Sequence, residues 1–213
     1  GMSTLYLQFD GLTSEVYKFT RGRDLLETKM KVIENWRETG LKSVVLVVTL
    51  IKGVNDHQLG DIIRFAVENF DVVRCVNVQP VSLCGRLPEE EREKMRITIP
   101  DFMKAVEEQT DRKIKVSDFY PVPTVVPISK AVGALRGKRY VEFTAHPHCG
   151  MATYVLIEDG EMVPITRYGN VEKFIGTMNE VYEEASKGHN ARAKMRLLGA
   201  LRHMKFGLLR KYL

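Results

Sequence analysis

The sequence predicts an α/β fold built on parallel strands, and three observations point there. Residues 43–51, Ser-Val-Val-Leu-Val-Val-Thr-Leu-Ile, are rich in β-branched side chains without polar alternation, the pattern of a strand covered on both faces. Strand-like runs at residues 5–9, 43–51 and 72–83 are separated by stretches with helical apolar spacing, and strands joined through helices pair in parallel by right-handed crossovers. Polar side chains collect where each run ends, first Gln8 and Asp10, then Thr49, Asn55 and Asp56, then Gln79 and Ser82. Both open α/β sheets and α/β barrels carry their chemistry at those ends. Polar loops and an Asn-Asp helix cap are the plainer account of any one of these residues.

The elements follow in order. Leu5-Tyr6-Leu7-Gln8-Phe9 is a strand stopped by Asp10-Gly11. Asp24, with Glu27 three positions on, caps a helix whose apolar face is Leu26, Met30, Ile33 and Trp36, and Gly40 stops it. After the second strand, Lys52-Gly53-Val54-Asn55-Asp56 leads into a helix with Leu59, Ile62, Ile63, Ala66 and Phe70 inward. Pro80 marks where the third strand's ladder ends.

Pro88-Glu89-Glu90-Glu91 opens a short acidic helix and Thr98-Ile99-Pro100-Asp101 another, with Phe102 and Val106 inward. Residues 117–127 hold three prolines with Phe119 and Tyr120, a structured connection that marks a domain boundary. Beyond it a helix at 128–135, strands at 140–144 and 152–157, a turn at Asp159-Gly160, a helix at 170–185 and a basic helix from Ala191 to the end are expected. The domains are thus residues 2–117 and 118–213.

Composition bounds the class. The 213 residues are 44% hydrophobic and 28% charged, ordinary for a soluble globular protein, and the longest apolar tract is of strand length. No secretion signal is present, and three cysteines at unrelated spacings form no disulfide framework, so a reducing cytoplasm is the expected location. Gly1 ahead of Met2 reads as a tag-cleavage scar. The net charge of +5 sits at one end: residues 187–213 hold eight Lys or Arg and no Asp or Glu, which leaves the rest at −3.

Two segments carry a family resemblance. Tyr6-Leu7-Gln8-Phe9-Asp10-Gly11 and Val48-Thr49-Leu50-Ile51-Lys52-Gly53-Val54-Asn55-Asp56 resemble strands four and five of a radical SAM barrel, with Gln79-Pro80 as the counterpart on strand six. The resemblance implies an incomplete (β/α) barrel of parallel strands with a smaller α+β C-terminal extension. Within that superfamily, Leu-Gln-Phe-Asp-Gly and the later Phe-Thr-Ala-His-Pro-His-Cys-Gly resemble archaeal proteins related to tetraether lipid synthase.

In such enzymes a [4Fe-4S] cluster on Cys-x3-Cys-x2-Cys chelates S-adenosylmethionine and reduces it, and the resulting adenosyl radical abstracts a substrate hydrogen. This chain departs from the pattern, because Cys75, Cys84 and Cys149 lie 9 and 65 positions apart and the glycine–glutamate segment after strand two is missing. S-adenosylmethionine and the cluster are therefore implied for the full-length family, and the cluster is not expected in this chain. The chain would begin at strand four, through a split or truncated gene or an internal start, and would be inactive alone. By position, Gln8 and Asp10 would meet the cofactor's ribose or carboxylate, Thr49 and Asn55 its ribose, and Gln79 the substrate side of this cofactor-binding set. A barrel lacking three strands exposes an edge at residue 5, so pairing with the missing N-terminal half or with a second copy is expected.

Two further constellations stand apart. His146, His148 and Cys149 are three candidate metal ligands within four positions, suited to zinc, iron or a cluster edge, with a polar turn as the competing account. The final helix carries Arg192, Lys194, Arg196, Arg202, Lys205, Arg210 and Lys211 beside Met195, Leu198, Leu201, Leu208 and Leu209. Such a helix suits an anionic membrane surface, or less readily nucleic acid, or it is a solvated face. The competing functional classes are thus a non-catalytic binding module using that helix and an unrelated α/β enzyme using His146, His148 and Cys149.

Overall fold

The computed structural model of the chain describes residues 3–84, 88–142 and 145–205. The chain divides into two compact units, residues 1–116 with 157–162, and residues 117–156 with 163–213.

The first unit is built on three parallel strands, β1 (Leu5–Gln8), β2 (Val44–Leu50) and β3 (Val73–Pro80), in that spatial order. Helices α1 (Ser14–Arg21) and α2 (Leu26–Glu38) link β1 to β2, and α3 (Leu59–Glu68) links β2 to β3. Side chains alternate across the strands, so Leu7, Phe9, Leu46 and Val76 turn to one face. There they pack with Ile33 and Trp36 of α2 and Phe65 and Ala66 of α3. A register shift between Val44 and Val45 brings Cys75 opposite Val45 and keeps Val76 on the packed side beside Leu46.

The three strands form an open sheet, and a barrel is not what they show, since closure takes about eight tilted strands. Among the described residues β1 is hydrogen-bonded on one side only: the N–H groups of Leu5 and Phe9 donate to the carbonyls of Ser43 and Val47, which turns the peptide groups of Tyr6 and Gln8 outward.

The helix expected from Asp24 begins at Leu26, whose N–H donates to Asp24 Oδ1, and it closes on Gly40 at φ 74°. Helix α1 was not anticipated. Phe70 lies beyond the end of α3 and is exposed, because the chain turns at Asn69 toward β3. After β3 come α4 (Glu89–Met95), with no buried residue, and α5 (Ile99–Gln109). Thr98 and Asp101 cap α5 reciprocally, and Met103 and Val106 are its buried positions, with Phe102 half-buried.

After α5, β4 (Tyr120–Pro121) pairs antiparallel with β5 (Met151–Ala152), and β6 (Val155–Glu158) pairs with β7 (Glu161–Pro164) around Asp159-Gly160, both at positive φ as a tight hairpin requires. The single strand expected at 152–157 is thus split between two sheets. The strand expected at 140–144 is absent over Tyr140–Glu142, where Val141 points into solvent and gains nothing from a ladder; Phe143 and Thr144 lie outside the described residues.

Helices α6 (Val126–Arg136), α7 (Val171–Ser186) and α8 (Asn190–Leu201) pack through Met178 and Val181 together with Ala131, Ala185, Ala193 and Ala200, whose small side chains let helix backbones approach closely. The basic helix does not continue from Ala191 through the chain's end: it stops at Leu201, and a turn follows to Lys205, where Lys205 N–H is held by the Tyr168 carbonyl. Leu208, Leu209, Arg210, Lys211 and Leu213 lie outside the described residues. Among the described residues no helix is long and apolar enough to cross a membrane.

One close approach sets the position of α3. A Cβ on Gly60 would meet the Gln109 carbonyl oxygen at 2.4 Å, and Gly60 N–H already donates to Gln109 Oε1 at 2.9 Å. Gly60→Ala is expected to lower stability by about 1 to 3 kcal/mol, the range for forcing extra volume into a packed contact, and a denaturant melt monitored at Trp36 checks it.

Candidate functional site

The C-terminal ends of β1 and β2 are joined by a single buried carboxylate. Asp10 is 0% exposed. Its Oδ2 accepts from Arg21 Nε at 2.6 Å and Thr20 Oγ1 at 3.1 Å. Its Oδ1 accepts from Gln8 Nε2 at 2.8 Å, Thr49 N–H at 3.0 Å and Arg21 Nη2 at 3.1 Å. Burial pushes the Asp10 carboxyl up, but the hydrogen bonds from Arg21, Thr49 N–H and Gln8, with the Arg21 charge, outweigh it and hold the group below the ordinary carboxylate value. Tyr17, fully buried nearby, has its phenol pushed up by burial and by the Asp10 charge.

The turn Lys52-Gly53-Val54-Asn55-Asp56 is tied by its own side chains. Asn55, also 0% exposed, accepts from Ile51 N–H at 2.8 Å and donates to the carbonyls of Asp10 at 2.7 Å and Thr49 at 2.8 Å. Asp56 Oδ1 accepts from Gly53 N–H, and Gly53 sits at φ 75°, where a side chain would be strained. Gly11 has a different reason to be glycine: its Cβ would meet Gln58 Oε1 at 2.7 Å, and that oxygen accepts Leu12 N–H.

Of the five residues expected to bind a cofactor, four converge here. Gln8, Asp10, Thr49 and Asn55 form one lattice, while Gln79 stands opposite Thr49 in the strand register and is exposed. Asp10 and Asn55 have no surface and their polar atoms are engaged, so they set geometry. Thr49 differs: its hydroxyl oxygen accepts from Gln8 Nε2 at 3.1 Å and Arg21 Nη2 at 3.0 Å, which fills both lone pairs and leaves the O–H to donate outward. Arg21, with 33% of its side chain exposed, is the member of this lattice that sequence reasoning missed. The Arg21-Gly22 pair, a basic last turn followed by a left-handed glycine, was the signal that could have found it.

His146, His148 and Cys149 sit on an exposed turn. His148 N–H donates to His146 Nδ1, Cys149 N–H donates to the His146 carbonyl, and the two rings meet edge to face at 5.1 Å. Among the described residues no group of three or more His, Cys, Asp or Glu is placed to hold a metal ion, and all three cysteines are exposed and unpaired. The donor set for an iron–sulfur cluster is therefore not present among them.

Fold and site together define an α/β chain that gathers hydrogen-bonding side chains at the C-terminal ends of parallel strands, where open α/β sheets take small ligands. No family model matches it. Over 188 residues, 88% of the chain, it is 53% identical to the 7,8-dihydro-6-hydroxymethylpterin dimethyltransferase of Methanocaldococcus jannaschii. Over 112 residues it is 26% identical to the probable GTP 3′,8-cyclase of Methanothermobacter marburgensis, and over 93 residues 32% identical to the GTP 3′,8-cyclase of Pseudomonas putida. These matches take in 53% and 43% of the chain. The chain spans 37% of the length of the first relative, 36% of the second and 27% of the third. The similarity supports membership in the radical SAM superfamily, and it replaces the narrower likeness to tetraether lipid synthase, a name none of the three bears.

Arg21→Met would leave the Asp10 carboxylate buried without its counter-charge. The expected loss is about 2 to 3 kcal/mol, at the low end for a buried pair because Arg21 keeps a third of its side chain in water. A carboxyl held low by folding stabilises the native state above its unfolded value and loses that contribution as pH falls through the folded one. Below about pH 4, therefore, the native chain should lose stability faster than Asp10→Asn, as paired denaturant melts across that window would show.

Proposed function

We propose that this chain supplies the cofactor- and substrate-binding strands of a radical SAM enzyme that methylates a pterin or a related ring. The observation that carries this reading is the Gln8–Asp10–Thr49–Arg21 lattice at the ends of β1 and β2, in a chain so similar to a pterin dimethyltransferase. The two substrate names among the relatives, a hydroxymethylpterin and GTP, share one piece of chemistry, the 2-amino-4-oxopyrimidine ring of pterin and of guanine.

Thr49 and Gln8 would hold S-adenosylmethionine, Thr49 through its outward O–H and Gln8 through its half-exposed amide, while Gln79 would face the substrate. Bound there, that cofactor supplies a sulfonium from which a methyl or adenosyl group can be drawn. The chain's own residues bind and orient: the buried Asp10 fixes Arg21, Gln8 and Thr49, and Asn55 holds the following turn against the end of β1. Among the described residues no group of three or more His, Cys, Asp or Glu is placed to hold the cluster. The open edge of β1 is where a further strand, from another segment or a second copy, would pair.

The reading is tested by titrating the full chain with S-adenosylhomocysteine in a calorimeter. Saturable binding that weakens about tenfold in Thr49→Val, the loss of one hydrogen bond to a ligand, is expected. Absence of binding would overturn it.

A second reading rests on α8. Met195 and Leu198 are 68% and 63% exposed on a helix that also carries Arg192 and Lys194, an apolar stripe beside cations that suits an anionic lipid surface. Co-sedimentation with vesicles rich in phosphatidylserine, abolished by Met195→Glu with Leu198→Glu, is the expected result. Retention by neutral vesicles to the same degree would refute it.

A further inference from the structure

The sheet of the first unit has a second face. Opposite the packed side chains, alternation places Tyr6, Val45 and Cys75 in one row, Gln8, Val47 and Asn77 in the next, and Thr49 beside Gln79 in the third. Tyr6 is 69% exposed, and Cys75 and Gln79 are exposed as well. None of these eight side chains is a carboxylate, an ammonium or a guanidinium.

The amides of the first unit divide into two groups. Gln8, Asn55, Gln58, Asn69 and Gln109 are each tied by hydrogen bonds to the chain around them. Asn35 on α2, Asn77 and Gln79 make no side-chain hydrogen bond among the described residues, and of these Asn77 and Gln79 stand two positions apart on one strand and one face. Their Cα atoms are about 6.6 Å apart along β3. Each amide offers an acceptor oxygen and two donors in one plane, the set that reads the edge of a planar heterocycle bidentately.

We infer that Asn77 and Gln79 form a recognition pair for a neutral 2-amino-4-oxopyrimidine edge, which presents a ring N–H, an exocyclic amine and a carbonyl in a row. This rests on the pterin reading above and adds to it the residues that would read the ring. Three features select that edge. A pair of uncharged amides answers mixed donors and acceptors without a net charge to desolvate. Val47, in register with Asn77, gives the face an apolar floor against which a flat ring can lie. Phosphate and carboxylate groups are disfavoured, because none of the eight side chains is a cation and the Arg21 guanidinium that reaches Thr49 is already paired with Asp10.

The full chain is titrated separately with pterin, with lumazine, which has an oxygen in place of the 2-amino group, and with S-adenosylhomocysteine. Pterin should bind at least about tenfold more tightly than lumazine, the discrimination ordinary for a bidentate amide contact. Asn77→Ala and Gln79→Ala should each weaken pterin about tenfold and leave S-adenosylhomocysteine unchanged. The isosteric Asn77→Asp, which keeps shape and replaces donors with acceptors, should weaken pterin as much, so a lost contact is separated from a lost fold.

Equal affinity for lumazine, or pterin binding unmoved in all three variants, would overturn the recognition pair. Binding of S-adenosylhomocysteine without pterin would overturn it as well and leave the cofactor reading standing. Failure of both ligands would remove the reading on which it rests.

Discussion

Everything at the strand ends depends on one desolvated charge. A carboxylate removed from water is tolerated only when its lone pairs are filled, and Asp10 is filled from three separate segments: β1 through Gln8, α1 through Thr20 and Arg21, and β2 through the Thr49 backbone. The requirement runs outward from there. Arg21 must lie over the strand ends, so α1 must fold back after Gly11, and Gly11 must be small because Gln58 comes within contact of where its side chain would be. Gln58 is held at the start of α3, so the crossover to β3 starts from a position set by the same carboxylate.

Binding and positioning are thereby divided among residues of similar chemistry. Asp10 and Asn55 spend their hydrogen bonds inside the protein. Thr49, Gln79 and Asn77 retain capacity toward the sheet face. A polar side chain at a strand end can serve either purpose, and burial decides which. Fully buried groups with complete partners hold the frame, and groups with a remaining donor or acceptor at the surface are the ones a ligand can use.

Much of the first unit was legible because period and composition agree there. The β-branched run of β2, the apolar spacing of α2 and α3 and the Asp-Gly and Gly-Val-Asn-Asp turns each specify their conformation locally. Helix α1 was not legible for the converse reason. It is eight residues long, its Val16, Tyr17, Phe19 and Thr20 are middling helix formers, and no side chain caps it. It stands because Tyr17 and Val16 are buried and Arg21 is captured by Asp10, contacts that a local pattern does not contain. The chain after residue 117 reads less well. Its strands are two to four residues long, and Tyr140 to Glu142, apolar and aromatic enough to suggest a strand, has no partner to pair with among the described residues. His146, His148 and Cys149 fall in a tight turn, where His148 N–H donates to one imidazole nitrogen of His146.

The lattice around Asp10 also has an order of assembly built into its chain separations. Asp10 and Arg21 are 11 positions apart, whereas Asp10 and Thr49 are 39 apart and Asp10 and Asn55 are 45 apart. Loop-closure entropy favours the nearer pair, and a parallel crossover is among the slower contacts to form. The ion pair therefore closes the shorter loop, and the contacts of Asp10 with β2 and the turn after it close the longer ones. A mature strand-end geometry is, on that account, a signature that the whole crossover has closed, so the site is complete only in chains that have finished folding.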